Sequence, residues 1–146
     1  MVKNTGKKSE AGFENALSAK YGKRVFIDRL QDAQALHGLN GRAVKTARQS
    51  ADYIVTVSGL TFYAEVKSSV NATSFSFSCI STHQLACAKK VRLAGGKYFF
   101  FIHNVKDDVF YMVDSATIDR VGKTRSSMKW SEMEPWTDYE SYKTTN

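Results

Sequence analysis

Proline is nearly missing from this chain: Pro135 is the single one in 146 residues. Its scarcity argues against long Pro-rich linkers. Cysteine is almost as rare. Cys79 and Cys87 have no metal-type CxxC spacing and are too few for a disulfide framework, so they read as two reduced thiols packing like small apolar residues. No run of about 18 apolar residues occurs, which excludes a membrane-spanning helix. The opening Met1-Val-Lys-Asn-Thr-Gly-Lys-Lys8 also lacks the apolar stretch of a signal peptide. A cytoplasmic protein with no membrane partner is expected.

Negative charge is in short supply as well, with 14 Asp+Glu against 21 Lys+Arg for a net +7. The excess is uneven. Residues 1–49 hold ten lysines and arginines against Glu10, Glu14, Asp28 and Asp32. A local cationic excess of this kind is the footprint expected for a polyanion partner. Hydrophobic residues make up 42% and charged residues 24%, ordinary fractions that argue against wholesale disorder. The length suits one domain with a real core, expected to span 1–146.

The most informative stretch is Ser50 to Lys67. Two runs rich in β-branched and aromatic residues flank a Ser58-Gly59-Leu60 turn signal, which predicts an antiparallel hairpin. Side chains alternate along a strand, so Glu65 and Lys67 share a face with Tyr63 and Thr61, while Phe62, Ala64 and Val66 point the other way. A two-residue Gly59-Leu60 loop of type II′ pairs Ser58 with Thr61. Ile54 then faces Glu65 and Asp52 faces Lys67. Asp52 and Glu65 become diagonal neighbours on one face, roughly 7–8 Å apart at most. Two carboxylates at that separation can hold a hard divalent cation between them, with Lys67 alongside. An odd-length turn would put the acids on opposite faces, so the argument depends on turn parity.

An acidic residue, a hairpin and then Glu-x-Lys resembles the PD-(D/E)xK nuclease superfamily, here as Asp52, Glu65, Val66 and Lys67, with Ala51 where many members have proline. More specifically, the chain resembles the RecU-type Holliday-junction resolvases over about residues 12–114. The motifs that carry this, in order, are Gly12-Phe-Glu-Asn-Ala-Leu17 with Tyr21, Ser50-Ala-Asp-Tyr53, Gly59 through Ser69, Ser74-Phe75, His83-Gln84, Gly95-Gly96 with the apolar strand after it, and Val109-Phe-Tyr-Met112.

Taken in order, residues 1–8 are basic, polar and expected to be mobile, with Lys7 and Lys8 able to close over a DNA backbone. A helix is predicted from Ser9 as N-cap to Tyr21, with Phe13, Leu17 and Tyr21 on one face and Gly22 at C′. Glu14 flanks that stripe, either as a solvated helix charge or, as the resemblance implies, as an acid approaching the metal site. Lys23 to Leu30 reads as a strand. Residues 31–49 form a short stalk-like or basic loop insertion carrying Arg42, Lys45 and Arg48; RecU-like proteins have a longer stalk there. Ser68 to Ser78 suggests a loop and then a short strand. Ser81 and Gln84 form a capping box opening a helix to about Ala94. Lys89 and Lys90 on that helix and His83 at its start are candidate DNA contacts. Lys97 to His103 is apolar on both faces, as a central buried strand would be, and Val109 to Val113 an edge strand. The stretch between strands 61–68 and 97–103 has the length of a parallel crossover. Residues 124–146 are left as a C-terminal extension of open role.

The resemblance implies a restriction-endonuclease-like α/β fold, a mixed sheet flanked by helices. It implies a Mg²⁺ site, with Mn²⁺ as substitute, held by Asp52, Glu65 and the Val66 backbone carbonyl, with Ser50 and Gln84 completing the shell. Lys67 would orient the attacking water or stabilise developing charge. The implied activity is paired symmetric cleavage of four-way DNA junctions by a homodimer, in a bacterial cell or a phage-infected host. The short chain and trimmed stalk lean toward a phage. Two alternatives stay open: a non-catalytic nucleic-acid-binding module of the same fold, and a related nuclease with little junction preference.

Overall fold

The computed structural model describes residues 5–30 and 48–136. Helix α1 (Thr5–Tyr21) forms because Phe13, Leu17 and Tyr21 recur at one face and all three are buried. Gly22, with φ +55°, ends it as expected. Its start differs from expectation. The helix already runs at Thr5, so Lys7 and Lys8 are exposed helical residues and Ser9 lies inside rather than at the cap. Ser9 sits one turn before Phe13 on the same buried stripe, and its hydroxyl lies 2.8 Å from His103 Nδ1. A tertiary partner has replaced the capping role.

Five strands form the main sheet: β1 (Val25–Arg29), β2 (Tyr53–Val57), β3 (Leu60–Ser69), β5 (Tyr98–Asn104) and β6 (Val109–Asp114), in the order β1-β2-β3-β5-β6. All neighbours are antiparallel except β3 and β5, which run parallel across the crossover through α2 (Thr82–Leu93). The expected mixed α/β sheet flanked by helices is therefore present. On one face α1 packs over Tyr53, Val55, Phe62, Ala64, Val66, Phe99 and Phe101. On the other, α2 and α3 (Ser115–Gly122) cover Tyr98, Phe100 and Ile102. Strand β5 is buried on both faces, which explains its unbroken Tyr-Phe-Phe-Phe-Ile run.

The short strand expected after a loop within 68–78 is β4 (Ser74–Ser76), while β3 itself continues through Ser69. β4 pairs with β7 (Ser127–Lys129) in a separate two-stranded sheet. Residues 125–136 are thus not a bare tail. Trp130 is buried and its indole N–H donates to the Asn71 carbonyl at 2.9 Å. Trp136 lies 5.2 Å from the Phe101 ring and 5.9 Å from that of Phe13. Residues 31–47 of the expected 31–49 insertion, with Arg42 and Lys45, and residues 137–146 lie outside the described residues. Among the described residues no helix is long and apolar enough to cross a membrane.

The hairpin differs from expectation in one respect. Val57 pairs with Leu60, so the loop is Ser58-Gly59, and both residues have positive φ, +50° and +82°. This is a type I′ turn, whose twist matches the flanking strands better than other two-residue loops of opposite hand. The register slips by two, so parity survives and every side chain keeps its predicted face. The ladder ends at Tyr53 opposite Ala64, and just beyond it the Asp52 N–H meets Glu65 while the Val66 N–H meets Asp52, so Asp52 stands by Glu65 rather than Lys67. The slip brings the acids closer than a diagonal pair.

Replacing Gly59 with valine forces a β-branched residue to φ +82°, at a cost of about 1–3 kcal/mol. Ser58→Asn, which suits the left-handed region, is expected to stabilise. Urea unfolding midpoints should move in opposite directions for the two variants; a shared direction would refute the turn assignment.

Candidate active site

Where β2 begins and β3 passes, a cleft of about 380 Å³ opens between α1 and the start of α2. Asp52, Glu65, Glu10, Arg29, Arg48, His83 and Gln84 line it. Asp52 and Glu65 are locked to one another's backbone. The Val66 N–H donates to Asp52 Oδ2 at 2.9 Å, and the Asp52 N–H donates to Glu65 Oε2 at 3.1 Å. The N–H and C=O of one strand residue leave on the same side, so the Val66 carbonyl also faces the β2 side where Asp52 sits. Lys67, two residues on and on the same face, has Nζ 3.7 Å from Glu65 Oε1.

Gln84 divides its two amide atoms between two jobs. Its oxygen accepts from the Ser81 N–H at 3.0 Å, completing the capping box, while its nitrogen donates to Glu65 Oε1 at 2.6 Å. The cap settles the amide orientation, since the Ser81 N–H needs an acceptor. A place for Gln84 in a metal shell, through this oxygen or a bound water, would share the oxygen with the cap. Ser50 is not among the cleft-lining residues; its carbonyl accepts from the Tyr98 hydroxyl at 2.7 Å.

Burial dominates the electrostatics. Glu65 is only 4% exposed. Its carboxyl is held well above the usual carboxylate range, first by desolvation and then by the nearby Asp52 charge, with Lys67 opposing. Desolvation raises Asp52 as well, opposed by the Val66 N–H and Lys67. A buried acid beside a half-buried one, both in this state, calls for a proton or a cation between them. Among the described residues no three His, Cys, Asp or Glu side chains converge into a cage. A pair of carboxylates with a nearby backbone carbonyl suits Mg²⁺, which takes one or two carboxylates and keeps several waters.

Glu10 is the residue that sequence reasoning missed. It lines the cleft, and burial followed by the Asp52 charge raises its pKa, with Arg29 opposing. Arg29 pairs with it at 2.7 Å. The available signal was its spacing: Glu10 and Glu14 are one helical turn apart on one flank. Glu14 is not among the lining residues; it accepts from the Tyr53 hydroxyl at 3.2 Å and lies 3.9 Å from Arg29. Arg48 and His83 reach the cleft, whereas Lys7, Lys8, Lys89 and Lys90 are exposed on α1 and α2.

An acid pair and a lysine on one hairpin of a helix-flanked mixed sheet define the class of the PD-(D/E)xK nucleases. The sequence matches the profile of RecU, Recombination protein U, over residues 27–142, and the chain belongs to that family. No curated protein sequence matches it. Among solved structures it is similar to Hjc of Archaeoglobus fulgidus, a Holliday junction resolvase from an archaeal hyperthermophile. The identity is 14% and the TM-score 0.49, over 82% of this chain and 86% of that one.

The raised carboxyl pKa values set a pH dependence of stability. Glu65 keeps its proton in the folded state above its ordinary value of 4.5. Its contribution is therefore complete below that value and lost as pH rises through the folded one. Urea unfolding of the metal-free protein should show stability falling with rising pH, a slope that Glu65→Gln reduces. Adding Mg²⁺ should restore stability most at high pH, where the pair is ionised.

Proposed function

We propose that this chain is a metal-dependent, structure-selective endodeoxyribonuclease that resolves four-way DNA junctions by paired symmetric cleavage as a homodimer. Membership of the RecU family supports the substrate class. The observation that carries the chemistry is the pairing of half-buried Asp52 with buried Glu65, cross-locked through backbone amides with Lys67 beside it.

Asp52, Glu65 and the Val66 carbonyl are the groups that would hold Mg²⁺, or Mn²⁺ in its place. When bound, the ion supplies a Lewis acid that lowers the pKa of a water and screens phosphate charge. The protein's own groups do the rest. Glu65 is oriented by the Asp52 N–H and by Gln84, so its lone pairs are set before any ligand arrives. Lys67, whose side chain is 18% exposed, holds an ammonium where charge develops on the phosphate, in surroundings drier than bulk water. Arg48 and His83 at the cleft, and Lys7, Lys8, Lys89 and Lys90 beyond it, are positioned to meet phosphates. Arg42 and Lys45 belong to the same proposed DNA surface by sequence.

Asp52→Asn and Lys67→Ala should each lower Mg²⁺-dependent nicking of a mobile four-way junction by at least about 10²-fold while junction binding persists. Binding should weaken steeply with salt, since phosphate contacts release counterions. Wild-type protein that binds the junction but cleaves nothing at any metal concentration would favour the non-catalytic module. Equal cleavage of linear duplex would favour a nuclease without junction preference.

A further inference from the structure

Asp52 stands at the end of a segment that no sheet ladder holds. β2 begins at Tyr53, and Gln49 to Asp52 precede it outside regular structure. The alternation of the strand also breaks here. Tyr53 packs on the α1 face, yet Ala51, two residues earlier, packs with the cluster on the opposite face. Strand periodicity therefore does not aim Asp52.

Three carbonyls of this segment are instead held from three different elements. The Leu30 N–H, just past β1, donates to the Asp52 carbonyl at 2.9 Å. The Tyr98 hydroxyl, from β5, donates to the Ser50 carbonyl at 2.7 Å. His83 Nε2, from α2, lies 3.1 Å from the Gln49 carbonyl. A carbonyl only accepts, so this contact is a hydrogen bond in the tautomer with the proton on Nε2, which also lies 3.6 Å from Cys87 Sγ. Tyr98 is 1% exposed, and its ring lies parallel to that of Tyr63 at 6.1 Å, which leaves the hydroxyl little freedom.

We propose that Tyr98 and His83 are positioning residues that hold the peptides before Asp52, and so set its carboxylate opposite Glu65 for cation binding. The proposal rests on the reading of Asp52 and Glu65 as cation ligands and adds what aims one of them. Neither hydroxyl nor imidazole needs to touch DNA or the ion for this role.

Tyr98→Phe removes the hydroxyl and keeps the ring. Mn²⁺ affinity of the DNA-free protein, measured by calorimetry and by electron paramagnetic resonance, should weaken about tenfold, the scale found when groups that orient metal ligands are removed. His83→Ala should weaken Mn²⁺ binding similarly, and His83→Gln, which keeps an N–H donor, should recover most of it. Tyr98→Phe with unaltered Mn²⁺ affinity, alongside a wild type whose binding is abolished by Asp52→Asn, would overturn the positioning role alone. Wild-type protein showing no Asp52-dependent Mn²⁺ binding would overturn this role and the metal reading together. Should Tyr98→Phe fail to fold, the His83 pair decides: equal weakening in Ala and Gln variants would refute the hydrogen-bond role.

Discussion

The arrangement of this molecule turns on two reciprocal hydrogen bonds, in which Asp52 and Glu65 each accept from the backbone of the other's strand. Carboxylates buried side by side repel one another and lose hydration, costs that normally drive acids apart or to the surface. Backbone amides offset part of that cost because they are rigid donors already fixed by the sheet. Lys67 offsets more. The result is a pair kept close while still short of positive charge, the electrostatic condition for binding a small hard cation.

The surrounding fold keeps that condition in place. β3 buries Phe62, Ala64 and Val66 under α1, which leaves Glu65 and Lys67 committed to the other face. The parallel crossover returns α2 over that face, so its capped N-terminus and Gln84 arrive at Glu65. A helix N-terminus favours nearby negative charge, and Gln84 adds a direct donor. On the opposite flank, α1 brings Glu10 to the cleft, with Arg29 of β1 balancing it. The walls of the cleft come from α1, β1, β3, the segment before β2 and the start of α2.

Much of this was legible in the residues. The Phe13-Leu17-Tyr21 stripe, the doubly apolar β5 run, the Ser81–Gln84 box and the shared face of Glu65 and Lys67 all follow from local periodicity or capping chemistry, which act over one or two turns or strand pairs. Turn type was misread because Ser58 was not expected to adopt positive φ. The site survived since a slip of two residues preserves parity. Ser9 was read as a cap because its burial depends on His103, 94 residues away. Glu10 was passed over for a similar reason: only the packing angle of α1 decides which of two acids on one flank reaches Asp52.

Local backbone periods of 2 and 3.6 residues are enough to settle which side chains share a face within a strand or helix, Glu65 with Lys67 among them, and capping chemistry is enough to place the start of α2. Tertiary structure alone decided how deeply Glu65 is buried, that Gln84 gives its oxygen to the cap and its nitrogen to Glu65, and that Tyr98 and His83 hold the approach to Asp52. Those outcomes depend on distances between elements far apart in the chain, which no local pattern encodes.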